Sequence, residues 1–294
     1  MPDFAAPGPH AVSIDDGEWI DAARGRCLKW RRYSPADMHG APLVLFSHGL
    51  GGSRLSGVSW LAHWASWGIA AIAIQHPGTD VDALAGQSPL AMRGLLRQAA
   101  NPLELQLRQH DLRHALDRIA ADSRSGRLGL AGHSFGAVSA TRLLGERRGV
   151  DDLPPDARIC AAVLFSPSAR GGCLPMEERY RDVLTPCLHL TGSEDHGIGP
   201  GDIDAPARTL PYRYAASMER LLIVLDGARH ADLSGDLPDT PGANILRAAS
   251  VAYWLRHLTA DGTAAHWLAQ GLPGLLQAKD RLERPRGAAV ARLS

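Results

Sequence analysis

The sequence predicts an α/β domain, with a mainly parallel central sheet and helices on both faces. Three observations carry this expectation. Short apolar runs such as "PLVLF", "GIAAIAI" and "ICAAVLF" recur along the chain, and buried parallel strands read this way. Stretches with helical spacing separate them, so the order is β-α-β-α over about 200 residues. A serine between glycines, "GHSFG" at 132–136, stands where a predicted strand passes directly into a predicted helix.

Taken in order, "WIDAARGRCLKWRRYSP" has strand-like alternation in its second half and ends at Pro35. Its basic run "RGRCLKWRR" reads as a solvated edge strand. "APLVLFSHGLGG" is a buried strand followed by a glycine-rich loop, and "SWLAHWASWG" is a helix that stops at Gly68, where a C-terminal cap belongs. "IAAIAIQHPG" is the next strand. Residues 80–106 exceed a simple connection, and Met92, Leu95, Leu96 and Ala99 repeat at helical spacing within them, which predicts a small helical lid insertion. Leu112, Ala115, Leu116 and Ile119 then mark a crossover helix. "RLGLAGHS" is a strand and "FGAVSATRLLGE" a helix. Three further strands follow, "ICAAVLFSPS", "PCLHLTGSED" and "RLLIVLDGARH", and "NILRAASVAYWLRHL" is a C-terminal helix. The tail "RLERPRGAAVARLS" reads as partly disordered.

The chain has 294 residues, enough for one large domain spanning 1–294. At that size folding buries roughly 75% of the unfolded chain's surface. Lys and Arg number 31, as do Asp and Glu, so the formal net charge is zero, which argues against a nucleic-acid partner. No basic start leads into an apolar stretch, and no apolar run is long enough to span a bilayer. The four cysteines, Cys27, Cys160, Cys173 and Cys187, form no CxxC pair and read as buried free thiols in a reducing cytoplasm.

The glycines around Ser134 have a physical reason. A strand that runs straight into a helix forces its turn residue into a strained conformation and brings the two backbones very close, so small neighbours are needed. The helix N-terminus adds free N–H groups facing any negative charge that develops there. Gly132-His133-Ser134-Phe135-Gly136 is therefore a nucleophile elbow. Over residues 40–258 the sequence resembles the α/β-hydrolase superfamily, with bacterial dienelactone-hydrolase-like esterases and the platelet-activating-factor acetylhydrolase group as the nearest branches. "FSHGLGG" at 46–52 and "GHSFG" at 132–136 carry the resemblance. It implies an α/β-hydrolase fold, and it implies that the Leu50 and Phe135 N–H groups form an oxyanion hole.

A serine hydroxyl needs a general base, and in this superfamily the chain order is serine, acid, histidine. His230 sits in "DGARHADLSG", just after the last predicted strand; His257 and His266 lie in or beyond the C-terminal helix. "LTGSEDHGIGP" resembles the superfamily's acid turn and makes Asp195 the acid, with Glu194, Asp226 and Asp232 as weaker rivals. The acetylhydrolase group places its acid one strand earlier, but that stretch here, "FSPSARGG", holds no carboxylate. Dienelactone hydrolase uses a cysteine nucleophile, and Ser134 in its place argues against the dienelactone reaction itself.

Other constellations read as structural. His110 and His114 are four apart, but "HDLRH" lacks the glutamate of a zinc-protease helix, so they are assigned to a solvated helix face. Trp60, Trp64 and Trp67 are assigned to the core. Neither a GxGxxG nor a Walker loop occurs, and no cofactor or metal is expected. The expectation is a cytoplasmic serine esterase taking a small-molecule ester of short to medium acyl length. Lactonase, thioesterase and peptidase activities use the same machinery and stay open, as does a non-catalytic binding protein on the same fold.

Overall fold

The computed structural model describes residues 1–86, 88, 94, 101–122, 126–149, 152–169, 171–197, 203–236 and 242–285. Among the described residues nine strands form one sheet in the order β1-β2-β4-β3-β5-β6-β7-β8-β9. They are β1 (Val12–Asp21), β2 (Arg26–Pro35), β3 (Leu43–Ser47), β4 (Ala70–Ile74), β5 (Leu128–His133), β6 (Ile159–Phe165), β7 (Cys187–Glu194), β8 (Arg220–Arg229) and β9 (Arg281–Glu283). From β4 through β3, β5, β6 and β7 to β8 every pairing is parallel. The outer pairings, β1 with β2, β2 with β4 and β8 with β9, are antiparallel.

Alternation along the strands divides the core in two. Val44 and Phe46 of β3 face one side, with Trp60, Trp64 and Trp254. Leu43 and Leu45 face the other, with Leu112, Leu116 and Leu143. The helices follow suit: α1 (Val58–Ser66) and α7 (Ala243–Thr259) cover the first face, α3 (Pro102–Ala121) and α4 (Phe135–Leu143) the second. Trp60 stacks on Phe165 at 5.8 Å and Trp64 meets Trp254 edge-on at 5.5 Å. Trp60 and Trp64 are fully buried, as expected, and Trp67 is half-buried beside Phe4.

Local signals explain where elements begin and end. Gly68, at φ 85°, closes α1. Asn101 caps α3 by accepting the Glu104 N–H at 2.9 Å, with Pro102 in the first turn, where its missing N–H costs nothing. The short helices are α2 (Val81–Leu84), α5 (Met176–Tyr180), α6 (Leu210–Tyr214), α8 (Gly262–His266) and α9 (Leu272–Leu275). Among the described residues no helix is long and apolar enough to cross a membrane.

Three expectations need correction. The basic stretch is a strand but not an edge: β2 pairs on both sides, and β1 forms the edge. β1 is largely exposed, and its inward-facing positions Gly17, Trp19 and Asp21 do not make an apolar run, so its half-buried face does not show in the hydrophobic pattern. The face assigned to His110 and His114 as solvated is half-buried at both residues. Of the tail, Arg281–Glu283 forms β9, held antiparallel to β8, and 286–294 lie outside the described residues. Of the four free cysteines only Cys187 is buried, and Cys173 is exposed. Met92, Leu95, Leu96 and Ala99, the basis of the expected lid helix, lie outside the described residues.

Candidate active site

The C-terminal ends of β3, β5, β7 and β8 bring four chain segments to one edge of the sheet, where open α/β sheets place their sites. Ser134 occupies the joint between β5 and α4 at φ 55° and ψ −119°, a conformation that is strained for a residue with a side chain. Its N–H donates to the Phe165 carbonyl at 2.9 Å, and its own carbonyl accepts from Val138 N–H at 3.1 Å. The flanking glycines are needed for space. A Cβ on Gly132 would lie 2.5 Å from the Gly136 backbone, and one on Gly136 would lie 2.0 Å from the Ser47 carbonyl oxygen.

His230 opens a single 3-10 turn (His230–Leu233) directly after β8. Its Nε2 is 3.0 Å from Ser134 Oγ and its Nδ1 is 2.7 Å from Asp195 Oδ1. A carboxylate only accepts, so the proton sits on Nδ1 and leaves Nε2 as the acceptor facing the serine hydroxyl. Asp195 immediately follows β7 and is fully buried. Thr191 Oγ1 donates to its Oδ2 at 2.7 Å. Burial raises the carboxyl's pKa, but the His230 hydrogen bond and the Arg208 charge outweigh it and hold the group at about 2.

The rival acids are elsewhere. Glu194 is exposed and lies 3.5 Å from His196. Asp226 is exposed beside Ser193, and Asp232 accepts the Arg229 N–H at 2.8 Å, capping the turn that starts at His230. His257 packs against Tyr253 with ring centroids 4.4 Å apart, and His266 ends α8.

Two neighbours of the site had no sequence signal. Arg208, fully enclosed, places Nε 3.3 Å from Asp195 Oδ1 and donates from Nη1 to the Ser166 carbonyl at 2.9 Å. His133 lies beside His230 with ring centroids 4.8 Å apart, and its Nε2 is 3.3 Å from the His230 carbonyl oxygen. Burial, reinforced by repulsion from His230, pulls His133 down to about 3, so it is neutral near pH 7.

The loop after β3 closes over the elbow. A Cβ on Gly49 would stand 3.3 Å from Ser134 Cβ, and Leu50 follows it, half-buried. Gly51, at φ 74°, donates to the Thr79 carbonyl at 2.8 Å. Phe135 is the first residue of α4, so its N–H belongs to the open N-terminal turn. Among the described residues no three His, Cys, Asp or Glu side chains gather in a way that could hold a metal ion.

Two solved structures are similar over most of their length. One is a PEG-bound complex of a novel cold-adapted esterase from an Arctic intertidal metagenomic library, at 19% identity and a TM-score of 0.60 over 84% of this chain and 94% of that one. The other is the native structure of a novel cold-adapted esterase from the same kind of library, at 21% identity and a TM-score of 0.57 over the same shares. The fold is that of the α/β-hydrolases. No protein-family model and no curated protein matches the chain.

Proposed function

We propose that this α/β-hydrolase-fold protein is a serine hydrolase of carboxylic esters. The observation that carries the reading is the unbroken chain from Ser134 Oγ through His230 to Asp195, at 3.0 Å and 2.7 Å, on a strained elbow. Ser134 Oγ attacks the ester carbonyl carbon as His230 Nε2 takes its proton. The carbonyl π bond breaks and its electron pair becomes an oxyanion, which the Leu50 and Phe135 N–H groups receive. The oxyanion re-forms the carbonyl and expels the alkoxide, which leaves as the alcohol with the proton from His230. Water, deprotonated by His230, repeats the attack on the acyl-enzyme and frees the acid and Ser134. Asp195 fixes the tautomer throughout and stabilises the imidazolium.

The fold resemblance to an esterase supports a small-molecule ester as substrate, and we assign short to medium acyl groups. The dienelactone-hydrolase-like branch fits the position of Asp195 after β7 better than the acetylhydrolase branch does. Four unpaired thiols agree with a reducing cytoplasm. The test is labelling by a fluorophosphonate probe, with the adduct mapped by mass spectrometry, alongside turnover of an ester panel varying acyl length. Adduct on Ser134 and turnover are expected. A folded protein that neither labels nor turns over any ester would make it a non-catalytic member of the fold.

A further inference from the structure

Arg108 is a cation with no exposed surface, on α3 beneath the site. Its Nη2 donates to the His48 carbonyl at 2.6 Å, and its guanidinium carbon lies 5.0 Å from the Phe135 ring centroid. Its Nε and Nη1 have no hydrogen-bond partner among the described residues. The carboxylate one turn further on, Asp111, is already engaged by Arg24, Arg26 and His76. A buried cation without a contacting carboxylate costs stability, so its retention calls for a reason beyond packing.

Its surroundings supply one. Asp111 Oδ2 is 3.0 Å from His76 Nδ1, so His76 carries its proton there and its Nε2 accepts from the Ser47 hydroxyl at 2.9 Å. The His76 N–H donates to His48 Nε2 at 3.0 Å, which places the His48 proton on Nδ1, 2.6 Å from the Gly49 carbonyl. Three consecutive residues, Ser47, His48 and Gly49, are thus each tied by a polar contact into one network anchored on α3. The next residue is Leu50. Arg108 also lies over the Phe135 ring, so one side chain reaches both segments to which we assign oxyanion donors.

We infer that Arg108 is a positioning residue that sets the two oxyanion donors, Leu50 and Phe135 N–H, at their working separation. This rests on the serine-hydrolase reading above. Burial pulls the guanidinium down to about 9, which leaves it charged near pH 7. Donors held rigidly act on charge that exists only in the transition state, so loosening them lowers kcat and kcat/KM together and leaves KM alone.

The test is Arg108→Met in the full chain. An apolar residue of similar length often replaces a buried charge without unfolding the protein. Sites are counted by end-point titration with a fluorophosphonate. The readouts are kcat and KM on a short p-nitrophenyl ester and the affinity of a phenylboronic acid, which forms a tetrahedral anion on serine. We expect a fall in kcat per site of roughly 10- to 100-fold, KM within threefold, and boronate binding weakened by a similar factor, since one oxyanion donor is worth about 10²- to 10³-fold. Arg108→Lys, which keeps the charge and can keep the bond to His48, recovers to within tenfold of wild type. If the methionine variant does not fold, the lysine variant decides, with a three- to tenfold loss expected in both kcat and boronate affinity. Per-site kcat and boronate affinity within twofold of wild type in the variant that decides would overturn the role of Arg108, as would a loss carried by KM with boronate affinity intact. A wild type that fails to label or turn over esters overturns the serine-hydrolase reading itself, and this inference with it.

Discussion

The backbone of Gly136 runs so close under Ser47 that a Cβ there would lie 2.0 Å from the Ser47 carbonyl oxygen. The obstacle is backbone, not a movable side chain, so Gly136→Ala must push α4 away from the end of β3. We expect Gly136→Ala to cost about 1–3 kcal/mol of stability through overpacking. Because that shift moves Phe135 relative to Leu50, activity should fall in the protein that still folds. Urea unfolding together with kcat per folded site measures both. A variant with wild-type stability and rate would mean that the close approach does not constrain the elbow.

Ser134→Ala and His230→Ala each remove one end of the 3.0 Å contact. The two groups act as a unit, so each loss alone should cost on the order of 10⁶-fold in kcat with little change in fold. Circular dichroism and steady-state kinetics on purified protein check this. Activity within tenfold of wild type in either variant would remove that residue from the mechanism.

Ser134, His230 and Asp195 were readable from the sequence because each follows a strand that its apolar run announces, and each carries a local pattern. Arg208 and Arg108 were not. Arg208 lies in "APART", a stretch with no motif, and its meaning comes from a contact across the fold to Asp195. Arg108 and Asp111 sit in a helix whose apolar positions show in its periodicity, yet both are buried by partners far away in the chain, Asp111 by Arg24, Arg26 and His76 and Arg108 by His48 and Phe135. Periodicity reports apolar burial and is silent on buried charge. The edge strand β1 gives no hydrophobic signal for a different reason, since the face it half-buries carries Gly17, Trp19 and Asp21 rather than a run of apolar side chains, while Ile14 and Ile20 are exposed.

The choice of acid is tested by Asp195→Asn, Glu194→Gln and Asp226→Asn at saturating substrate. Only Asp195 is buried and within 2.7 Å of His230 Nδ1. Asparagine can present its own N–H or its oxygen there and favours the wrong tautomer, so the loss should be roughly 10⁴-fold, smaller than removal of the base. The other two variants should stay near wild type. A large fall in Asp226→Asn beside a mild Asp195→Asn would move the acid to the end of β8.

For the 80–106 insertion we propose a lid over the acyl side. Its start is tied to the loop after β3: Val81 N–H donates to the Gly52 carbonyl at 2.9 Å, and the Val81 side chain is exposed. Lids of this kind exclude water and shape specificity. Replacing Leu95 and Leu96 by serine should change the acyl-length profile more than the rate on a short acetate ester. An unchanged profile across the ester panel refutes the role.

The last prediction concerns acid stability. His189, on β7, is buried, and neither ring nitrogen has a hydrogen-bond partner among the described residues. Burial, with a smaller contribution from Arg220, pulls it to about 3, against about 6.5 in an unfolded chain. The unfolded state therefore takes up a proton below pH 6.5 that the folded state refuses. Stability from this group is complete above pH 6.5 and is lost as pH falls, at up to about 1.4 kcal/mol per pH unit, until the folded residue itself titrates near 3. Between pH 7.5 and pH 5 that amounts to about 2 kcal/mol. His133 and His257, also pulled to about 3, and His76, pulled to about 4, add losses of the same sign. His189→Leu removes one such group and two unpaired buried nitrogens, and fills a similar volume. Its stability should fall by about 2 kcal/mol less than that of wild type over this pH range, and should be no lower at pH 7.5. Urea unfolding at the two pH values measures the difference. Parallel losses in the two proteins would mean that His189 takes up its proton in the folded state and that the β7 core tolerates the charge.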